Sequence, residues 1–235
     1  ARDAGANQRK ATELDLPPSA ALGVLGINGV TAHYGLLEIG QPRPGDTVVV
    51  STAARAVGSC VGQIARLKGC RTVGIAGGTE KARLCIDTFG FDAAVDYKAP
   101  DFAQQLADAC AHGVDVYFDN TAGPISDEVH GHLNTGARIV VCGTASVASW
   151  DPPPQGPRIE RQMLTRRARM QGFVIFDHPA HGDIARRDLA GWLRAGRLRY
   201  QEDVLDGIER APDAIAGLYR GDHLGKRLSL LPEQY

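Results

Sequence analysis

The stretch from Asp46 to Lys68 constrains the fold more than any other part of the chain. Asp46-Thr47-Val48-Val49-Val50-Ser51 is Val-rich, too short for a helix and preceded by the turn Pro42-Arg43-Pro44-Gly45. It predicts a short, fully buried strand. Small residues follow, in the segment Thr52-Ala53-Ala54-Arg55-Ala56-Val57-Gly58. From Ser59 the pattern turns helical: Val57, Val61, Ile64 and Ala65 fall on one face, Gln63, Arg66 and Lys68 on the other. A strand, a small-residue turn and a helix N-terminus make a site for an anion. The first helix amides and the positive end of the dipole point at whatever sits above the turn. In a doubly wound sheet that anion is usually a dinucleotide pyrophosphate. A strand–helix unit without a ligand accounts for the motif about as well.

Arg55 complicates the nucleotide reading. In a G-x-G-x-x-G-like turn ending at Gly58 it takes the middle position, where backbone approaches phosphate closely. Its side chain either obstructs that approach or folds outward and pairs with phosphate. The sequence leaves both open.

The rest of the chain repeats the strand–helix alternation. Strands are expected at Arg71–Ala76, Ala93–Tyr97, Val114–Asp119 and Ala137–Cys142. Helices are expected near 80–89 (capped by Thr79), 101–111 and 125–134, with one or two short buried helices between Ser19 and Glu38. This spacing predicts an α/β fold with a doubly wound parallel sheet, a Rossmann architecture, whose strand-end loops gather on one edge. Those loops are 51–58, 77–81, 97–100, 119–124 and 142–157; the last, with Trp150 and Pro152-Pro153-Pro154, is a candidate lid. A polar helix near 158–166 precedes an apolar strand, Met170–Phe176, expected at the sheet edge and suited to pairing with a second copy as a homodimer. Amphipathic helices at 183–195 and 211–220 and a last strand at Lys226–Leu231 complete the chain. Residues 1–18, ending in Pro17-Pro18, read as a linker or the remnant of a preceding domain, 19–200 as the dinucleotide-binding domain, and 201–235 as a C-terminal segment.

Composition narrows the partners. With 26 basic and 27 acidic side chains the net charge is −1, so no global field points to nucleic acid or a membrane surface. No apolar run is long enough to span a bilayer. Cys60, Cys70, Cys85, Cys110 and Cys142 are scattered and odd in number, which argues for reduced thiols and a cytoplasmic setting. The spacings His130/His132 and His178/His181 suit a metal, but no further ligands converge on them, so they read as loop or surface histidines and no metal is expected. The arginines at 158, 161, 166, 167 and 169 lack interleaved aromatics and read as a solvated face.

The second strand reports on cofactor choice. An NAD site places Asp or Glu about 20 residues beyond the glycine turn, on the ribose 2′-hydroxyl. Here Gly77-Gly78 stand there, with Lys81 and Arg83 close by. A missing carboxylate with cations nearby favours a 2′-phosphate, hence NADP; a solvated helix face is the other reading of the two cations.

Several blocks together resemble the prostaglandin reductase and alkenal double-bond reductase branch of the medium-chain dehydrogenase/reductases, which includes curcumin reductases. They are Gly29-Val30-Thr31-Ala32, Ala56-Val57-Gly58-Ser59 with Gly62-Gln63-Ile64-Ala65, Tyr117-Phe118-Asp119-Asn120, Val141-Cys142-Gly143 and Gly221-Asp222-His223-Leu224-Gly225-Lys226. The resemblance implies zinc-independent, NADPH-dependent reduction of the carbon–carbon double bond of α,β-unsaturated ketones and aldehydes. On matching positions, Arg55, Ala56, Val57 and Gly58 would carry the pyrophosphate, with Gly77, Lys81 and Tyr97 at the 2′-phosphate. Asn120, Cys142 and Gly143 would line the nicotinamide side, Phe173 and Val174 would lie near the ring, and His223 would also meet the cofactor. The chain departs from the family at Arg55 (Gly expected), Ala148 (Tyr) and His223 (Asn). Family members also carry an N-terminal barrel-like catalytic domain of about a hundred residues, to which residues 201–235 would return. The expectation is therefore the cofactor-binding part of a double-bond reductase. The alternatives are a non-catalytic, dimerising module and a quinone reductase of the same superfamily.

Overall fold

The computed structural model describes residues 15–147, 149–221 and 223–231. Ala148, one of the family departures, lies outside the described residues, as do 1–14 of the expected linker. The Val-rich run forms β1 (Thr47–Ser51), buried at every position, and the chain then enters α2 (Ala56–Leu67). An earlier helix, α1 (Ile27–Tyr34), continues directly into a π-helical turn, Gly35–Gly40. Strands β2 (Arg71–Ala76), β3 (Ala93–Asp96), β4 (Val114–Asp119), β5 (Leu133–Val141) and β6 (Arg169–Gly172) follow. They alternate with α3 (Thr79–Asp87), α4 (Phe102–Ala109), α5 (Gly123–His130) and α6 (Glu160–Arg166). The strands pair in the order β3-β2-β1-β4-β5-β6, and every pairing is parallel. The order reverses between β1 and β4, which opens a crevice above their carboxyl ends.

Because side chains alternate across a strand, each central strand feeds two cores. Val48 and Val50 of β1 with Val116 and Phe118 of β4 pack beneath α1, α2 and α7 (His181–Arg194). Val49, Tyr117 and Ile139 face the other way, toward Leu106 of α4 and Val129 of α5. The two apolar layers sandwich a sheet whose central strands carry few polar side chains, as a parallel sheet covered on both faces requires.

Three local differences from the sequence reading have physical causes. Helix α2 begins at Ala56, not Ser59, and Arg55 caps it by backbone conformation alone. The residue N-terminal to α3 is Gly78 (φ +99), so Thr79 lies inside that helix and makes no capping bond. Strand β6 is four exposed residues long, not the seven expected: the chain leaves the sheet after Gly172 and turns once as a 3₁₀-helix at Ile175–Asp177. Phe173 departs because it packs inward, filling the space left by Gly35, where a Cβ would stand 2.7 Å from its ring. The arginines at 158, 161, 166, 167 and 169 are exposed, on and beside α6.

Beyond the sheet, β7 (Glu202–Asp206) and β8 (Lys226–Leu230) pair in parallel around α8 (Ala211–Arg220). Arg227 donates to Asp203 across this pair at 2.7 and 2.9 Å. Asp15, within the expected linker, accepts from Arg194 at 2.7 and 2.8 Å, so that segment is tied to α7.

Gly58 sets how close α2 sits to β1. A Cβ there would lie 2.4 Å from the Thr52 carbonyl oxygen and 2.9 Å from the Ala53 Cα, both backbone atoms. Gly58→Ala should therefore destabilise the domain by about 1–3 kcal/mol. Urea unfolding of the two proteins measures this directly.

Candidate functional site

The site is built at the carboxyl ends of β1, β2, β3 and β4, where the sheet order reverses. Thr52, the first residue past β1, adopts φ +52, and its carbonyl accepts the Arg55 amide at 2.9 Å. This tight turn brings Ala56, Val57 and Gly58 round as the first three residues of α2, whose amides have no partner one turn earlier in the helix. The amide of Ser59 closes the first turn onto the Arg55 carbonyl at 2.8 Å.

Beside this turn lies a cleft of about 450 Å³, counting its open mouth. Its floor is Thr52, Ala54, Ala76 and Gly77; its rim carries Arg55, Lys81, Lys98 and Tyr97, with Gly221 closing one side. Gly77 is there because a Cβ would stand 2.8 Å from the Tyr97 ring. Three cations face the cleft, and none of the described residues lining it is acidic. The nearby Asp96 carboxylate accepts the backbone amides of Gly78 (2.7 Å) and Lys98 (2.9 Å), so it shapes the loops. Of the two cations noted beyond strand two, Lys81 enters the cleft and Arg83 is exposed outside it.

The C-terminal segment completes this wall. Gly225 forms an isolated parallel bridge with Arg55, and its amide donates to the Ala54 carbonyl at 3.2 Å. Lys81 Nζ donates to the Gly221 carbonyl. His223 is buried here, and its Nδ1 finds no hydrogen-bond partner among the described residues. Burial, reinforced by Arg55, Lys81 and Arg227, holds the His223 pKa down at about 4.

The second half of the crevice is organised by Asp119. Its Oδ1 accepts the amides of Thr121 (2.8 Å) and Ala122 (2.9 Å) and the Tyr117 hydroxyl (3.1 Å); its Oδ2 accepts the Ser126 hydroxyl (2.7 Å). These bonds fix the turn that places Asn120. Asn120 in turn donates Nδ2 to the Ser51 carbonyl (2.7 Å) and its amide to the Ser51 hydroxyl (2.8 Å), locking β4 to β1. Cys142 and Gly143 both donate their amides to the Asp119 carbonyl, at 2.8 and 3.1 Å. Gly143 must be small, since a Cβ would meet the Asn120 carbonyl oxygen at 3.1 Å. The Cys142 thiol is pushed up to about 12 by burial and the Asp119 charge, so it remains a protonated thiol.

The structure thus gathers Arg55, Ala56, Val57, Gly58, Gly77, Lys81, Tyr97 and His223 around one end of the crevice and Asn120, Cys142 and Gly143 around the other. Phe173 lies against Gly35 and 5.6 Å from the Tyr34 ring, while Val174 beside it is exposed. Sequence reasoning missed Thr52, Lys98 and Gly221 in the cleft lining and Asp119 with Ser51, Thr121 and Ser126 at the end of β4. The usable signal was Asp119-Asn120-Thr121-Ala122-Gly123, a run of turn-forming residues directly after a buried strand.

His33 is buried between α1 and α7, bonded to His181 Nε2 (2.9 Å) and Asp188 Oδ2 (3.1 Å). Among the described residues no three His, Cys, Asp or Glu side chains are placed to hold a metal ion.

A parallel sheet of this order, with a helix N-terminus at the end of β1 and three cations around the adjoining cleft, is the architecture of a dinucleotide-binding domain. Comparison with known proteins gives the lineage. The sequence profile described as zinc-binding dehydrogenase matches residues 56–187. The chain is 46% identical over 216 residues to NADPH-dependent curcumin reductase of Escherichia coli, covering 89% of this chain and 62% of that protein. It is 41% identical over 218 residues to prostaglandin reductase 1 of Rattus norvegicus, covering 91% of this chain and 65% of that one. The crystal structure of CurA from Vibrio vulnificus in complex with NADPH superposes with a TM-score of 0.87 at 48% identity, over 92% of this chain and 66% of the other. The chain belongs to the zinc-binding dehydrogenase family of the medium-chain dehydrogenase/reductase superfamily, in its prostaglandin and curcumin reductase branch. It spans less than two thirds of the length of these relatives.

Two outcomes follow from the buried polar groups. Asp119→Ala leaves the Ser126 and Tyr117 hydroxyls and two turn amides without their acceptor, and should cost about 3 kcal/mol, read from denaturant midpoints. His223 is neutral in the folded chain down to about pH 4, whereas the unfolded chain protonates it near 6.5. Between those values the unfolded state holds the extra proton, so stability falls as pH is lowered through the window. His223→Asn should flatten that decline, measured as the slope of melting temperature against pH.

Proposed function

We propose that this chain forms the cofactor-binding part of an NADPH-dependent reductase of carbon–carbon double bonds in α,β-unsaturated ketones and aldehydes. The observation that carries the reading is the cleft beside the β1–α2 turn: three cations, an aromatic rim and no acidic lining side chain among the described residues. A ribose 2′-hydroxyl asks for a carboxylate there, and a 2′-phosphate asks for cations. The relatives named for NADPH and for curcumin and prostaglandin reduction support the same assignment.

The residues present fit the dinucleotide. Ala56, Val57 and Gly58 would hold the pyrophosphate through helix amides, and Lys81 and Tyr97 would hold the 2′-phosphate beside Gly77. Asn120, Cys142 and Gly143 would border the nicotinamide, with Phe173, Val174 and His223 completing the wall. Bound NADPH supplies a hydride. That hydride would go to the β-carbon of the substrate, and a proton would be needed at its α-carbon to complete the reduction. The chain's own contribution is placement and protection. Asn120 is held by two bonds to Ser51 and cannot swing into the nicotinamide space. Cys142, the thiol nearest that space, stays protonated and so resists alkylation by an electrophilic enone.

Two further parts of the reading concern the chain's partners. The short exposed edge of β6 suits pairing with a second copy, giving a homodimer. The exposed apolar residues Val204, Ile208, Ile215 and Leu230 suit a neighbouring catalytic domain.

Titration of NADPH while following nicotinamide fluorescence should give saturable binding, with NADH bound at least about tenfold more weakly. Absence of saturation would reject the reading. Assays of enones against quinones, with the catalytic domain supplied, separate double-bond reduction from quinone reduction.

A further inference from the structure

We propose that Arg55 is a specificity-determining residue that reads the 2′-phosphate, joining Lys81 from the opposite side of the cleft. This rests on the nicotinamide-cofactor reading above and assigns one position within it. In the sequence Arg55 falls where a glycine would let backbone meet the pyrophosphate, so the first expectation is interference. The backbone shows otherwise. Arg55 sits at φ −95, ψ 171, an extended conformation open to any residue, and its carbonyl and amide both serve the turn. Arg55 lines the cleft shared with Gly77, Lys81 and Tyr97.

Gly221 places the guanidinium relative to Lys81. A Cβ built on Gly221 would stand 3.7 Å from Arg55 Nη2 and 3.7 Å from Lys81 Nζ. The two cationic nitrogens therefore lie at most twice that distance apart. A phosphate accepting at about 2.8 Å from each side spans such a gap with two of its oxygens. Tyr97 lies close enough for its charge to act on the guanidinium, and His223 feels both Arg55 and Lys81. Two cations from different elements therefore converge on one volume, with no acidic residue among the described lining. That volume is a phosphate monoester's, not a hydroxyl's. Arginine adds what lysine lacks here, a planar fork that engages two oxygens of one phosphate.

Gly221 is also held by Lys81 through its carbonyl, and Gly225 by the bridge to Arg55. Lys81 thus meets the C-terminal segment through its side chain, and Arg55 meets it through its backbone. Lysine has three donors, so it can hold the Gly221 carbonyl and a phosphate oxygen at once.

Calorimetric titration of the chain with adenosine 2′,5′-bisphosphate and with 5′-AMP isolates the claim, because the two probes differ by the 2′-phosphate alone. Wild type should bind the bisphosphate at least about tenfold more tightly. Arg55→Gln should erase most of that ratio while leaving 5′-AMP within about twofold, and Arg55→Lys should retain part of it. Equal weakening toward both probes would overturn the proposal, since Arg55 would then act on the shared nucleotide or on folding. An unchanged ratio would overturn it as well. Tighter bisphosphate binding by Arg55→Gly would show the side chain to be a plug. A wild-type chain that does not distinguish the probes would instead sink the NADPH reading itself, and Arg55's assignment with it.

Discussion

The crevice depends on the near-contact of two backbones at Gly58 and Thr52. Only a residue without a Cβ lets α2 approach the carbonyl that ends β1, and only then does the helix N-terminus stand over the strand end. The turn that achieves this uses a β-branched residue, Thr52, at positive φ, a conformation that costs on the order of 1–3 kcal/mol. That strain persists because the surroundings over-determine it: Val50 and Ala53 are wholly buried on either side, the Ala53 amide donates to the Ile75 carbonyl at 3.0 Å, and the Arg55 amide returns to Thr52. The sheet and α2 therefore impose the anion-receiving geometry before any ligand arrives.

A buried carboxylate performs the matching task across the switch point. Asp119 is almost wholly desolvated, an arrangement that is favourable only when its oxygens are surrounded by donors. It recruits them from Tyr117 on its own strand, Ser126 on α5, and the amides of the loop it heads. Because Asn120 then clasps Ser51, the ends of β1 and β4 are joined by side chains just beyond the point where their ladder stops. The β4 side of the crevice is thus held by charge-assisted hydrogen bonds, and its β2–β3 side is lined by cations.

What was legible in the sequence follows from how local the causes were. Strands β1, β2 and β4 announced themselves because burial on both faces demands apolar runs, and Gly77 and Lys81, singled out beyond strand two, both line the cleft. The start of α2 was misplaced because Ala56-Val57-Gly58 looks like turn and Arg55 gives no capping side chain. The length of β6 was overestimated because Phe173–Phe176 is apolar for reasons of its own; Phe173 leaves the sheet to reach Gly35, and Phe176 is exposed. Strand β7 reads Glu-Asp-Val-Leu-Asp, half-exposed, and exists through pairing with β8 about twenty residues later. His33 carried no local mark of burial. Its environment comes from α7, where Asp188 accepts from Nε2 and His181 approaches Nδ1, while burial keeps the ring neutral. Asp188 on Nε2 assigns that ring proton, so Nδ1 accepts from His181.

The same distinction explains why the cleft's far wall could not be read in advance. Lys81 and Gly221 are separated by 140 residues, yet their contact decides where both cations of the phosphate corner stand. Gly225 is placed with equal strictness: at φ +68, a Cβ would fall 2.0 Å from the Gln201 carbonyl oxygen, so the segment passes between Gln201 and the β1–α2 turn with no room for a side chain. A site whose floor is local and whose wall comes from the chain's far end closes late in folding, since loop closure over such a span precedes any contact that rewards it. Lys81, which lines the cleft, donates to the Gly221 carbonyl of this wall, and Arg55 meets Gly225 through its backbone. Order in the C-terminal segment and the shape of the cleft therefore draw on one set of interactions.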